Sequence, residues 1–93
     1  MHQYELTAIF PQEEDQYQAG REAVLTDLAA QGAEILKTEE KGDRDLAYEI
    51  NKRRRGRYIF FTLKLDPAKV SVLDRIFKLN ANLLRYLFVK IEE

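Results

Sequence analysis

Tyr58-Ile59-Phe60-Phe61-Thr62-Leu63-Lys64-Leu65-Asp66-Pro67 joins the clearest strand of the chain to its clearest helix start. Aromatic and β-branched residues favour a pleated, half-buried strand, and Ile59, Phe61, Leu63 and Leu65 recur with the period of two that puts them on one face. Tyr58, Phe60, Thr62 and Lys64 then point the other way. Asp66 can cap a helix and Pro67 suits its first position, so a helix follows with Val70, Leu73, Ile76 and Phe77 as its buried stripe.

Working outward, the apolar run Leu83–Ile91 predicts a last strand, although Leu83, Leu87 and Val89 are as apolar as Leu84, Tyr86 and Phe88 and periodicity does not assign its faces. Towards the N-terminus, Ala33 to Glu40 and then Leu46, Tyr48 and Ile50 read as one long strand, bent where Gly42 permits a bulge. Before it, Glu13, Glu14 and Asp15 place negative charge at the start of a helix. Tyr17, Val24, Leu25 and Leu28 are its inward stripe, Gly32 its C-terminal cap, and Gly20 an interior residue costing about 1 kcal/mol relative to Ala. Tyr4, Leu6, Ala8 and Phe10 alternate on a first strand that Pro11 ends. The order β-α-β-β-α-β predicts an α+β, ferredoxin-like fold: a four-stranded antiparallel sheet with two helices on one face, occupying residues 1–93 as a single domain.

A chain of 93 residues with 45% hydrophobic and 33% charged residues holds enough apolar surface for one core. It has no cysteine, which excludes disulfides and thiolate metal sites. The start Met1-His2-Gln3-Tyr4-Glu5 does not read as a signal peptide, and no apolar run approaches the roughly 20 residues that span a bilayer; a soluble, cytoplasmic protein with no membrane partner is expected. The formal net charge of −1 conceals a division: residues 1–34 sum to −6 and the remainder to +5. One surface could therefore face phosphates while another repels them.

Most of the chemistry the chain could carry is basic. Asn51-Lys52-Arg53-Arg54-Arg55-Gly56-Arg57 concentrates five bases in what reads as a loop between two strands, suited to phosphate contact or equally to a solvated hairpin tip. Arg44, Arg85 and Lys90 could extend that patch once folded. Tyr58 and Phe60, on the sheet face that no helix covers, form either a partly solvated surface or a docking surface for a partner. An RNA-recognition module shares the element order, but the positions where its stacking aromatics belong hold Arg57 and Ile59. Catalysis has little support: His2 is the only histidine, Glu39/Glu40 and Asp43/Asp45 read as solvent-facing pairs, and no glycine-rich anion loop follows the first strand as an acylphosphatase would need. No metal or cofactor is expected.

Gly42-Asp43-Arg44-Asp45-Leu46-Ala47-Tyr48-Glu49-Ile50-Asn51-Lys52 resembles the most recognisable stretch of the bacterial small-subunit ribosomal protein six family, usually Gly-x-Arg-x-Leu-Ala-Tyr-Pro-Ile-x-Lys. Met1–Leu6 resembles the family's opening, and Phe77-Lys78-Leu79-Asn80 through Leu83-Leu84-Arg85 to Lys90 its last helix-to-strand passage. The resemblance implies a structural protein of the small-subunit platform that binds central-domain ribosomal RNA together with small-subunit ribosomal protein eighteen, without enzymatic activity or cofactor, and monomeric when isolated. It places Arg44, Lys52, Arg85 and Lys90 on the RNA side with Tyr4 nearby; electrostatics adds Arg53, Arg54, Arg55 and Arg57. His2, Glu49 and Ala81 depart from the family's usual arginine, proline and acidic residue, and the absence of a long acidic tail after Glu93 leaves tail functions unexpected. The alternative is a metabolite-sensing ferredoxin-like domain that pairs through its exposed sheet.

Overall fold

A computed structural model describes residues 1–91. Its elements are β1 (His2–Phe10), α1 (Glu14–Ala30), β2 (Glu34–Ile50), β3 (Arg53–Leu65), α2 (Pro67–Phe77) and β4 (Arg85–Lys90). The sheet order is β2-β3-β1-β4 and every neighbouring pair is antiparallel. This is the expected ferredoxin-like sandwich.

Side-chain alternation explains where the core sits. Tyr4, Leu6, Ala8 and Phe10 of β1 and Ile59, Phe61, Leu63 and Leu65 of β3 are buried with Tyr17, Val24 and Leu28 of α1 and Leu73 and Phe77 of α2. Both helices thus close one sheet face. The ends of α1 and the start of α2 follow local rules: Ala33 N–H donates to the Leu28 carbonyl at 3.0 Å around Gly32, whose φ is 75°, and the Asp66 carboxylate accepts from Ala68 N–H at 3.0 Å.

The long second strand is present and is bent as expected, with register shifts between Ile35 and Lys37, between Glu40 and Gly42, and between Asp45 and Ile50. One expectation about its partner is overturned. The basic run is strand, not loop: β3 begins at Arg53, and only Asn51 and Lys52, with φ of 49° and 65°, form the turn. Ile50 pairs with Arg53 across that turn. Two residues of positive φ give the backbone twist that matches two antiparallel strands, so the hairpin closes without glycine.

β4 also resolves what its sequence left open. Tyr86 pairs with Ala8 and Phe88 with Leu6, both core residues of β1, while Arg85, Leu87 and Val89 pair with Ile9, Thr7 and Glu5 on the other face. Tyr86 and Phe88 pack against the core beside Phe77. Leu87 and Val89 remain 59% and 49% exposed.

Candidate nucleic-acid and partner interface

Because β3 alternates, its arginines divide between two faces. Arg53, Arg55 and Arg57 share the parity of Ile59 and point to the helix side, whereas Arg54 shares that of Tyr58 and Phe60. On the helix side the acidic start of α1 meets them. Arg53 Nη1 lies 2.8 and 2.7 Å from the two carboxylate oxygens of Glu13, and its Nη2 donates to Gln16 Oε1 at 3.1 Å. Arg57 Nη1 donates to Glu14 Oε2 at 2.8 Å while its guanidinium lies 3.7 Å from the centre of the Tyr17 ring. The Tyr17 hydroxyl donates in turn to Glu40 Oε1 at 3.0 Å. Arg55 Nε stands 3.2 Å from Asp45 Oδ1, its neighbour across the ladder.

These contacts hold the acids ionised. The Glu13 carboxyl is kept below its ordinary range by a hydrogen bond from its own backbone and by Arg53, and that of Glu14 by Gln18 and then Arg57. The Arg57 guanidinium is stabilised in its charged form chiefly by its bond to Glu14.

On the open face the arginines are differently placed. Arg44 sits opposite Gly56 on β2 and Arg85 opposite Ile9 on β4. Among the described residues neither has a carboxylate within 4.0 Å, and neither does Lys52 in the turn. Arg85 instead lies 5.2 Å from the centre of the Tyr48 ring. Arg54 is nearly free as well, its one carboxylate neighbour among the described residues being Glu49 at 3.9 Å.

Between these bases the sheet offers apolar surface. Arg85–Ile9–Tyr58 and Leu87–Thr7–Phe60 form successive cross-strand rows on the open face. Leu46, Ala47, Tyr48 and Ile50 of the hairpin arm wall a cavity of about 220 Å³ with Ile9, Tyr58 and Arg85. Tyr58 and Phe60 are half-buried by such neighbours, and both lie on the face that the alternation of β3 assigned them.

Five residues of the expected RNA set lie off the open face: Arg53, Arg55 and Arg57, which the register turns to the helix side, and also Tyr4 and Lys90. Tyr4 is a core residue, 8% exposed and edge-to-face with Phe88, and Lys90 pairs opposite it on the helix side of the sheet. Neither shares a face with Arg44 and Arg85. Sequence reading missed Ile9, Leu46, Tyr48, Leu87 and Val89, the apolar part of the open face. Each carried a signal without a face: Ile9 broke the alternation of the first strand, Leu46 and Tyr48 alternated on the second, and Leu87 and Val89 were apolar in a strand whose period was hidden.

Three of the four paired acids have partners of their own. Glu39 is bridged by Lys37 and Lys41, each at 2.8 Å, Glu40 faces Tyr17 and Arg21, and Asp45 faces Arg55. They do not converge on a common point.

The chain is thus a small α+β protein of the ferredoxin-like class, with an uncovered sheet face that joins an apolar patch to arginines lacking a carboxylate partner among the described residues. The family model described as "Ribosomal protein S6" matches residues 3–90, and the chain belongs to that family. It is 50% identical over 93 residues to the small ribosomal subunit protein bS6 of Treponema denticola, covering all of both chains. The corresponding protein of Treponema pallidum (strain Nichols) is 39% identical over 92 residues, with 99% of each chain covered. Among solved structures, the crystal structure of 30S ribosomal protein S6 from Thermotoga maritima superposes with a TM-score of 0.86 at 22% identity, over 97% of this chain and 87% of that one. The C-terminal domain of the MgtC protein from Mycobacterium tuberculosis has the same fold, with a TM-score of 0.63 at 10% identity over 100% and 90% of the two chains. The family is one of structural, non-enzymatic proteins of the bacterial small ribosomal subunit, and this chain is a ribosomal, RNA-associated member of it.

Proposed function

We propose that the open sheet face and the β2–β3 turn form one composite surface through which the chain binds central-domain small-subunit ribosomal RNA together with small-subunit ribosomal protein eighteen, supporting assembly of the platform. Arg44, Lys52, Arg54 and Arg85 take phosphates, and Tyr58 and Phe60, with Leu87 beside them, take the protein partner. The chain acts as a monomer, without catalysis or cofactor. The observation that carries this reading is the segregation of charge: the helix-side arginines are already paired with carboxylates, whereas Arg44, Lys52 and Arg85 have no such partner among the described residues. A base released from an internal acid is free to displace counterions from RNA. A short list of phosphate contacts gives modest affinity, and a second protein bound to the same RNA raises it by making the binding events share one complex.

Salt titration of RNA affinity in the presence of protein eighteen tests this. Arg44→Ala and Arg85→Ala should each flatten the slope of log affinity against log salt by about 0.7 to 0.9. Tyr58→Ser with Phe60→Ser should weaken capture of protein eighteen at unchanged fold. Wild-type slopes in both arginine variants would remove the RNA assignment from this face, and unaltered capture by the aromatic variant would remove the partner from it.

A further inference from the structure

We infer that Glu13 and Glu14 are selectivity residues for RNA: by occupying Arg53 and Arg57 they withhold two of the five bases of the basic run from phosphate and help confine the contact to the open face. The inference rests on the RNA-binding reading above.

Glu13 is the residue before the first turn of α1, a position where Ser, Thr, Asp or Asn usually spends its side chain on the helix amides. Here the side chain makes no such bond. It reaches 40 residues along the chain to Arg53, which it meets with both oxygens, so helix capping does not account for it. Glu14 is likewise directed at Arg57, which is pinned from a second direction by the Tyr17 ring. That ring is itself held by Phe10, edge-to-face at 5.7 Å, and by the Tyr17–Glu40 hydrogen bond. A phosphate approaching this side would have to break a charge-assisted pair, lift Arg57 from the ring and approach two carboxylates of its own sign. An intramolecular carboxylate is present at fixed, high effective concentration and does not diffuse away, so it outcompetes a phosphate offering similar hydrogen bonds. The four arginines of the run therefore do not act as four equivalent contacts. Arg54, which points to the open face, and Lys52 in the turn are the bases of this hairpin left available.

The test measures affinity for a central-domain ribosomal RNA fragment, with protein eighteen present, as a function of salt. Glu13→Gln with Glu14→Gln should bind roughly tenfold more tightly at low salt and steepen the slope by about 1.4 to 1.8, the contribution of two added phosphate contacts. Asp15→Asn with Glu22→Gln removes the same charge from the same helix at residues that touch no arginine, and should leave the slope at the wild-type value. Equal slopes in wild type and the Glu13/Glu14 variant would overturn the inference, leaving the ion pairs a merely structural clasp between α1 and β3. Equal steepening in both double variants would overturn it too, since net charge alone would then be responsible. If no form binds the RNA, the RNA-binding reading falls and this one with it. Should neutralising both acids unfold α1, the converse substitution decides. Arg53→Gln with Arg57→Gln should leave the slope of the otherwise unaltered chain unchanged, whereas a loss of about 1.4 to 1.8 would show both arginines already on phosphate and overturn the inference.

Discussion

Gly20 lies in the middle of α1, where helix propensity alone favours Ala by about 1 kcal/mol. The structure reverses that preference. A Cβ at this position would stand 2.2 Å from the carbonyl oxygen of Asn82 and 2.9 Å from Phe10 Cδ1, because the segment leading into β4 crosses the helix there. Gly20→Ala should therefore destabilise the protein by about 1 to 3 kcal/mol, as over-packing does, and a denaturant midpoint at or above the wild-type value would contradict the close approach. Tyr86 supplies a second test. Its hydroxyl donates to Asp74 Oδ1 and lies 3.0 Å from the Asp74 carbonyl oxygen. Burial, and then this bond, push its pKa up to about 12. The folded state thus holds the phenolic proton more tightly than the unfolded chain, so the resulting stability is complete below pH 10 and disappears as pH rises through about 12. Tyr86→Phe should cost about 1 kcal/mol at neutral pH and delete the component of the tyrosinate absorbance that titrates at about 12, and retention of that component would show the proton is held elsewhere.

At the scale of elements, β1, the two helices and the second half of β3 were legible because each has one buried and one exposed face. The first half of β3 was not. Arg53 to Arg57 alternate between the helix side and the open face as regularly as Tyr58 to Leu65, but with Arg on both faces the alternation leaves no hydropathy signal. Gly56 then reads as a loop residue, although it pairs with Arg44 within the ladder. For the same reason sequence placed all the bases of the candidate site on one surface, when the register divides them. β4 is the mirror case: apolar residues on both faces hide the period, and only its pairing with β1 shows that Tyr86 and Phe88 belong to the core while Leu87 and Val89 do not. That pairing predicts that Phe88→Ala loses about 2 to 4 kcal/mol, in the range for large core truncations, whereas Leu87→Ala changes stability by about 0.5 kcal/mol or less. Denaturant unfolding distinguishes them, and comparable losses from the two would mean that the strand is registered one residue out of place.

The whole molecule has one described core, to which both helices and three of the four strands contribute. Its radius of gyration of 12.8 Å is near the roughly 12 Å expected of a compact chain of this length, so stability need not come from a second copy. The open face also disfavours self-pairing. An isologous contact between two such faces would bring Arg44 and Arg85 of both copies into one interface, where the register places Glu5, Glu34 and a Glu39 already bridged to Lys37 and Lys41 as acids of the same face. We therefore predict a melting temperature that stays constant when protein concentration is raised about a hundredfold and when a chelator is added; constancy in both is the outcome expected of a fold to which neither a subunit nor a metal contributes. The two ligands proposed above should act differently. Ribosomal RNA and protein eighteen, supplied together at about a hundred times their joint dissociation constant, would stabilise the folded chain by about 2.7 kcal/mol through mass action. For a domain of this size that corresponds to a rise of the order of 10 to 20 °C. Either component alone should give a smaller rise, because each lacks the other's share of the composite surface. A melting temperature that climbs with protein concentration would instead indicate that the open face pairs with itself. A full rise with RNA alone would show that the apolar rows around Tyr58 and Phe60 are not needed for the partner-assisted binding assigned to them.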